Sequence, residues 1–233
     1  MEKIAEQVRP FLQNEGSGHD WEHVRRVWAN ARLIATQEKG ANLLLVELAA
    51  LLHDVDDPKV TGGSASTPLE NASTFLRKVG ADQHLIHSVC RIIDVIGYRK
   101  SVRKNALKTL EDQIVSDADR LDAMGAIGIA RCFVFTGATG RPMFKTDLPP
   151  RDVLDESAYA DRARPDNTAI NHFFDKLLRL KERMATKTGH RMARERHETM
   201  VSFLRTFFRE QDLPEWEKRL ERFLMKTESN GSA

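Results

Sequence analysis

Apolar residues recur at intervals of three and four along nearly the whole chain, and the alternating runs that signal strands are almost absent. The clearest stripe is Val24, Val27, Trp28, Ala31, Ile34 and Ala35. It predicts a helix that follows the flexible Glu15-Gly16-Ser17-Gly18 stretch, is capped by Asp20 and ends before Gly40. Residues 43–52 are apolar nearly all round, as expected of a helix enclosed by others. That helix runs into His53-Asp54-Val55-Asp56-Asp57-Pro58, where the proline cannot continue it. Thr67, Pro68 and Glu70 form a capping-box start for a further helix closed by Gly80.

The next stripe, Leu85, Ile86, Val89, Ile92, Ile93 and Ile96, leaves His84, His87, Arg91 and Asp94 on the opposite, solvated side. Helix is expected again from about Glu111 to Phe135, with Gly125 and Gly128 permitting close packing. Residues 136–168 contain several glycines and prolines and read mostly as a long loop. Amphipathic helices at about 168–187 and 190–211 finish the pattern before a polar tail. The predicted fold class is all-α, a single domain over 1–225 with a tail at 226–233 and no internal repeat.

Composition narrows the function classes. The net charge of +2 from 36 basic and 34 acidic residues gives no global field for nucleic acid or an anionic membrane. Cys90 and Cys132 fit neither a disulfide framework nor a CxxC motif, so the expected compartment is a reducing cytoplasm. The N-terminal segment lacks the apolar core of a signal peptide, and the longest apolar run falls short of the roughly 20 residues of a membrane span.

Chemistry enters with His53 and Asp54. An imidazole beside a carboxylate at the end of an aliphatic helix must find partners or bear the desolvation cost. A metal ion satisfies both; a histidine at the helix C-terminus followed by an acidic turn is the simpler alternative. The wider pattern favours the metal. Gly18-His19-Asp20-Trp21-Glu22-His23 with Arg26-Val27, then Leu51-Leu52-His53-Asp54-Val55-Asp56-Asp57, then Asp117-Ala118-Asp119-Arg120-Leu121-Asp122-Ala123 resembles the H…HD…D signature of the HD superfamily. The likeness continues through Thr168 to Phe174 and Lys176 to Leu178, and is nearest to small bacterial HD hydrolases of the YedJ and YpgQ type.

The resemblance implies an HD helical bundle with its metal-binding core at about 19–135, further C-terminal helices, and one divalent ion held by His23, His53, Asp54 and Asp119. Among Asp117, Asp119 and Asp122, periodicity does not single out Asp119; it is chosen because it precedes Arg-Leu as the family's ligand does, with Asp122 expected behind the ligands. Nitrogen and oxygen donors suit Mn²⁺, Fe²⁺, Ni²⁺, Co²⁺ or Zn²⁺, and Mg²⁺ where phosphate oxygens complete the sphere. The exposed setting predicted for His84 and His87 points to one ion.

The implied activity is phosphohydrolysis of a small phosphorylated metabolite, expected to be a nucleotide, by metal-activated water. Asp54 is then both ligand and catalytic residue, and Asp57 either orients that water or caps the turn before Pro58. Lys59, Arg99, Lys100 and Arg103 are the cations nearest the motifs, either phosphate-binding or a solvated basic face. His172 and Lys176 could reach a substrate, or His172 could be a core histidine beside Phe173 and Phe174. His19 is expected to support the lead-in to the first stripe helix, and His190 and His197 to lie on the surface. Pyrophosphohydrolysis of a nucleoside triphosphate is the leading reaction. Phosphomonoesterase or alarmone hydrolase action, or a sensor that binds metal without turnover, are the competitors. Self-association is open, and neither a membrane nor duplex nucleic acid is expected as partner.

Overall fold

A computed structural model describes residues 1–13, 18–62, 69–96, 107–150 and 168–230. Among the described residues every regular element is helical, in agreement with the all-α expectation. Two compact units result. The first, Met1–Asp122 with Met184–His190, contains α1 (Glu2–Phe11), α2 (Trp21–Gln37), α3 (Leu43–Leu52), α4 (Pro58–Thr61), α5 (Glu70–Lys78), α6 (Gln83–Val95) and α7 (Leu110–Asp122). The second, Ala123–Arg183 with Arg191–Ala233, contains α8 (Gly125–Ala138), α9 (Ala169–Asp175), the 3-10 stretch Leu177–Arg183, most of α10 (Lys187–Glu210) and α11 (Pro214–Asn230).

Within the first unit α3 is the axle. Its residues Val46 to Leu52 are all buried, packed by α1, α2, α6 and α7. Each large apolar side chain taken from water there contributes about 1.5–3 kcal/mol. Such a helix has no polar face to turn towards solvent, so its register is fixed and His53 at its C-cap is delivered to one place. Helix α2 packs against both α3 and α7, and the Asp20 carboxylate accepts the N–H of His23 at 2.8 Å, setting the first turn.

Two acidic side chains tie distant segments to this frame. Asp56, in the turn after α3, accepts the N–H groups of Asn71 and Ala72, both at 2.9 Å, while Asn71 Nδ2 donates to the Val55 carbonyl at 3.1 Å. The start of α5 is therefore capped from fifteen residues upstream. Thr67 and Pro68 of the expected capping box lie outside the described residues, and Glu70 is the first helical residue. Asp117, fully buried on α7, accepts the N–H of Ala185 at 2.9 Å and both the N–H and the hydroxyl of Thr186 at 2.8 Å.

Several boundaries differ from expectation. The single helix predicted over 111–135 is broken, since α7 ends at Asp122 and α8 starts at Gly125, whose φ of +68° suits glycine. Gly128 does serve close packing, because a Cβ there would meet the Ala123 carbonyl oxygen at 2.3 Å. The helix expected at 168–187 is the short α9 followed by the 3-10 stretch. Helices α1 and α11 were not predicted. Ile4, Val8 and Leu12 bury one side of the first, and Trp216 and Leu220 anchor the second, where Trp216 meets Phe144 edge-on at 4.8 Å. His197 is buried, only 7% exposed, rather than on the surface, because the long α10 turns it inward beside Ala193, Met200 and Val201.

Two expectations follow. At Gly189 an added Cβ would stand 2.3 Å from Asp117 Oδ2 and 2.8 Å from Thr186 Oγ1, so Gly189→Ala must break the Asp117 cage. A loss of about 2–4 kcal/mol in urea denaturation is expected, and a change under about 0.5 kcal/mol would contradict the packing. Burial, helped by Lys181, holds the His197 imidazole down at about 4 against its ordinary 6.5. Between those values the unfolded chain binds the extra proton, so stability falls as pH drops through that window. His197→Gln should remove about 3 kcal/mol of that pH-dependent loss across the window; parallel curves for the two proteins would refute it.

Candidate metal centre

Three helices of the first unit bring four residues to one cluster. His23 comes from the first turn of α2 and is 1% exposed. His53 closes α3, Asp54 follows it, and Asp119 lies on α7 one turn before that helix ends. His23 Nε2 stands 3.2 Å from His53 Nε2, 3.2 Å from Asp54 Oδ2 and 3.6 Å from Asp119 Oδ1. His53 Nε2 is 3.3 Å from Asp54 Oδ2 and 4.0 Å from Asp119 Oδ1. Donors about 2.1 Å from a shared ion stand about 3 Å apart when adjacent and about 4 Å apart when opposite, so these separations match a common coordination sphere.

The far side of each imidazole is latched. His23 Nδ1–H donates to Asp122 Oδ2 at 2.7 Å, and His53 Nδ1–H donates to the Ala50 carbonyl at 2.8 Å. Both acceptors lack a proton to give, so each ring keeps its hydrogen on Nδ1 and leaves Nε2 as the nitrogen that faces inward, able to bind a cation in place of a proton. His19 Nδ1 donates to Asp54 Oδ2 at 2.6 Å, a hydrogen-bond length shorter than two ligands of one ion would show. His19 thus braces Asp54, a task beyond supporting the lead-in to α2.

The field inside the cluster favours positive charge. Burial opposes the charged form of His53, yet Asp54 beside it, with Asp119 and the Ala50 carbonyl, outweighs that and lifts the imidazole to about 9. Burial likewise opposes ionisation of Asp54, but His53, His19 and His23 pull its carboxyl well below the usual range. His23 is raised despite burial, by its bonds to Asp122 and Asp54. A divalent cation satisfies the same field, and the donor set of imidazole nitrogen and carboxylate oxygen is one that could hold it.

The remaining predicted residues fall elsewhere. The backbone carbonyl of Asp57, three residues past Asp54, accepts the N–H of Val60 at 2.9 Å and of Thr61 at 3.0 Å, which starts α4 at Pro58. Asp117 turns to the cage around Thr186, and Asp122 lies directly behind His23. His84 and His87 are exposed on α6, as their helical phase implied. Arg99, Lys100 and Arg103, and the side chain of Lys59, lie outside the described residues. His172 on α9 and Lys176 at its C-cap belong to the second unit, where burial, with Lys176 and Arg141 adding to it, pushes the His172 imidazole down to about 3. Sequence reasoning missed the part played by His19, and gave none to Arg26, although both stood in the quoted motif at helical spacing from His23.

Comparison with known proteins agrees. The HD domain matches residues 20–124. Bacillus subtilis YpgQ is 40% identical over 220 residues, covering 91% of this chain and 95% of that protein. A crystal structure of an HD-superfamily hydrolase from Bacillus thuringiensis has 36% identity and a TM-score of 0.70, covering 91% of this chain and 96% of its own. The structure of B. subtilis YpgQ in complex with ADP has 35% identity and a TM-score of 0.69, with 88% and 97% covered. The chain belongs to the HD-domain family and carries the HD-superfamily hydrolase fold. Among the described residues no single helix is long and apolar enough to cross a membrane.

Adding Mn²⁺ to chelator-treated protein is expected to raise its thermal stability, by about 2.7 kcal/mol at a concentration one hundred times Kd. Asp54→Ala should lose that response while keeping its helical circular dichroism, and an undiminished metal-induced shift in the variant would remove Asp54 from the ligand set.

Proposed function

We propose that this chain is a metal-dependent phosphohydrolase whose His23, His53, Asp54 and Asp119 hold one divalent ion, and that its substrate is a nucleotide. The observation that carries the reading is the set of inward donors at 3.2–4.0 Å with both imidazoles latched from behind. The ADP complex of YpgQ supports a nucleotide over other phosphorylated metabolites. One ion agrees with the exposed placement of His84 and His87, the histidines between the HD pair and Asp119 that a second ion would need. An ion held there would supply Lewis acidity to a phosphate oxygen and acidify a water beside it.

The chain's own groups supply the rest. The aliphatic surroundings of Asp54, with Leu51, Leu52 and Val55 fully buried, lower the local dielectric and strengthen every charge interaction at the centre. Asp57 is our choice to orient the attacking water and accept its proton. Lys59, Arg99, Lys100 and Arg103 are our choices to neutralise phosphate. In the reaction proposed, water oxygen bonds to the α-phosphorus of a nucleoside triphosphate, the bridge to the β-phosphorus breaks, and pyrophosphate leaves with the monophosphate as co-product.

Incubating the pure protein with nucleoside mono-, di- and triphosphates and Mn²⁺ or Mg²⁺ resolves the alternatives. Monophosphate plus pyrophosphate is expected from triphosphates, and turnover should vanish in Asp54→Ala. Inorganic phosphate with free nucleoside would instead identify a phosphomonoesterase. Metal binding without turnover of any member would identify a sensor.

A further inference from the structure

Helices α2 and α7 pack together, and each carries a proposed ligand with a second charged residue one turn further on: His23 and Arg26 on α2, Asp119 and Asp122 on α7. The two second residues grip each other. Arg26 Nε donates to Asp122 Oδ1 at 2.6 Å and Nη2 donates to Oδ2 at 3.1 Å, while Oδ2 also accepts from His23 Nδ1 at 2.7 Å. Asp122 is 2% exposed, whereas the Arg26 side chain keeps 26% of its surface open to solvent.

We propose that Arg26 is a positioning residue for the metal centre, clamping Asp122 and through it the ring of His23. The inference rests on the metal reading above. A carboxylate bonded by one imidazole alone can rotate about its own axis and carry the ring with it. Two parallel N–H donors from a planar guanidinium remove that freedom, because both oxygens are then fixed in one plane. The buried negative charge of Asp122 is also answered, so it need not be met from the ligand side. A lysine could supply the charge but not the fork.

This role has a sign that a bare charge would not. If Arg26 acted only as a cation near the centre, removing it would relieve repulsion and tighten divalent binding. As a clamp, its removal loosens His23 and weakens binding. Isothermal titration of Mn²⁺ into the wild type, Arg26→Ala, Arg26→Lys, Asp122→Asn and the double variant Arg26→Ala/Asp122→Asn decides the matter. Arg26→Ala should weaken affinity about tenfold and Asp122→Asn about 10–100-fold, with Arg26→Lys between wild type and Arg26→Ala. Once Asp122→Asn is present, adding Arg26→Ala should change affinity by less than about twofold, as coupled residues do.

Unchanged or tighter binding in Arg26→Ala, or fully additive losses in the double variant, would overturn the proposal. Should Asp122→Asn fail to fold, the His23 ring resonances of Zn²⁺-loaded Arg26→Ala decide instead. A lost or shifted Nδ1–H signal supports the clamp, and a wild-type spectrum overturns it. Absence of Mn²⁺ binding in the wild type would overturn the metal reading and this inference together. Loss of the proposed hydrolysis alone touches neither affinity nor spectrum, and so is told apart.

Discussion

The constraint on which the first unit turns is the electrostatic cost of gathering imidazoles and carboxylates beside an aliphatic helix. Unpaired, each such group costs several kcal/mol on leaving water. The chain meets that cost from the outside inward. Asp122 and the Ala50 carbonyl take the Nδ1 protons, His19 braces Asp54, and Arg26 answers the charge on Asp122. What remains unanswered faces the middle, and the raised His53 and depressed Asp54 register that imbalance as a preference for positive charge.

Secondary structure makes the gathering possible. The largely apolar α3 fixes His53 mainly by burial, with Trp28 Nε1 donating to its one acid, Glu47, at 3.1 Å, whereas α2 and α7 present residues from partly polar faces and need more explicit ties. Asp20 sets the turn that carries His23, and Asp117 ties α7 to Ala185 and Thr186 just before the turn that carries Asp119. Asp56 anchors α5 to the segment that carries Asp54. The acidic residues clustered around the motifs thus divide into those that face the centre and those that hold its scaffold; Asp20, Asp56 and Asp117 hold it through backbone N–H groups, and Asp122 through the side chains of His23 and Arg26.

That division explains what could be read in the sequence. Helical periodicity identified α2 and α6 with their buried faces, and an unbroken apolar run identified α3, because burial imposes both patterns directly. The HD pair was visible as a polar anomaly in an apolar run, and Asp119 only through resemblance, since Asp117 lies deeper in the core than Asp119 does. Periodicity said nothing of where α7 yields to α8, because a helix break needs one glycine at positive φ and leaves the apolar spacing on both sides intact. Helices α1 and α11 were not predicted because so few of their apolar positions are buried that the charged residues between them read as solvated chain. The contact between His19 and Asp54 joins residues 35 apart, a distance no local rule spans.

The bond from His53 to the Ala50 carbonyl also limits what evolution can do at that position. An ion of this kind accepts carboxylate as readily as imidazole, yet aspartate or glutamate at residue 53 would bring no hydrogen to the carbonyl that the end of α3 leaves without a helical donor. The same holds at residue 23, where a carboxylate would confront Asp122. Histidine is held at both places by the protein's own backbone and acids, whatever cation the inward-facing donors could take.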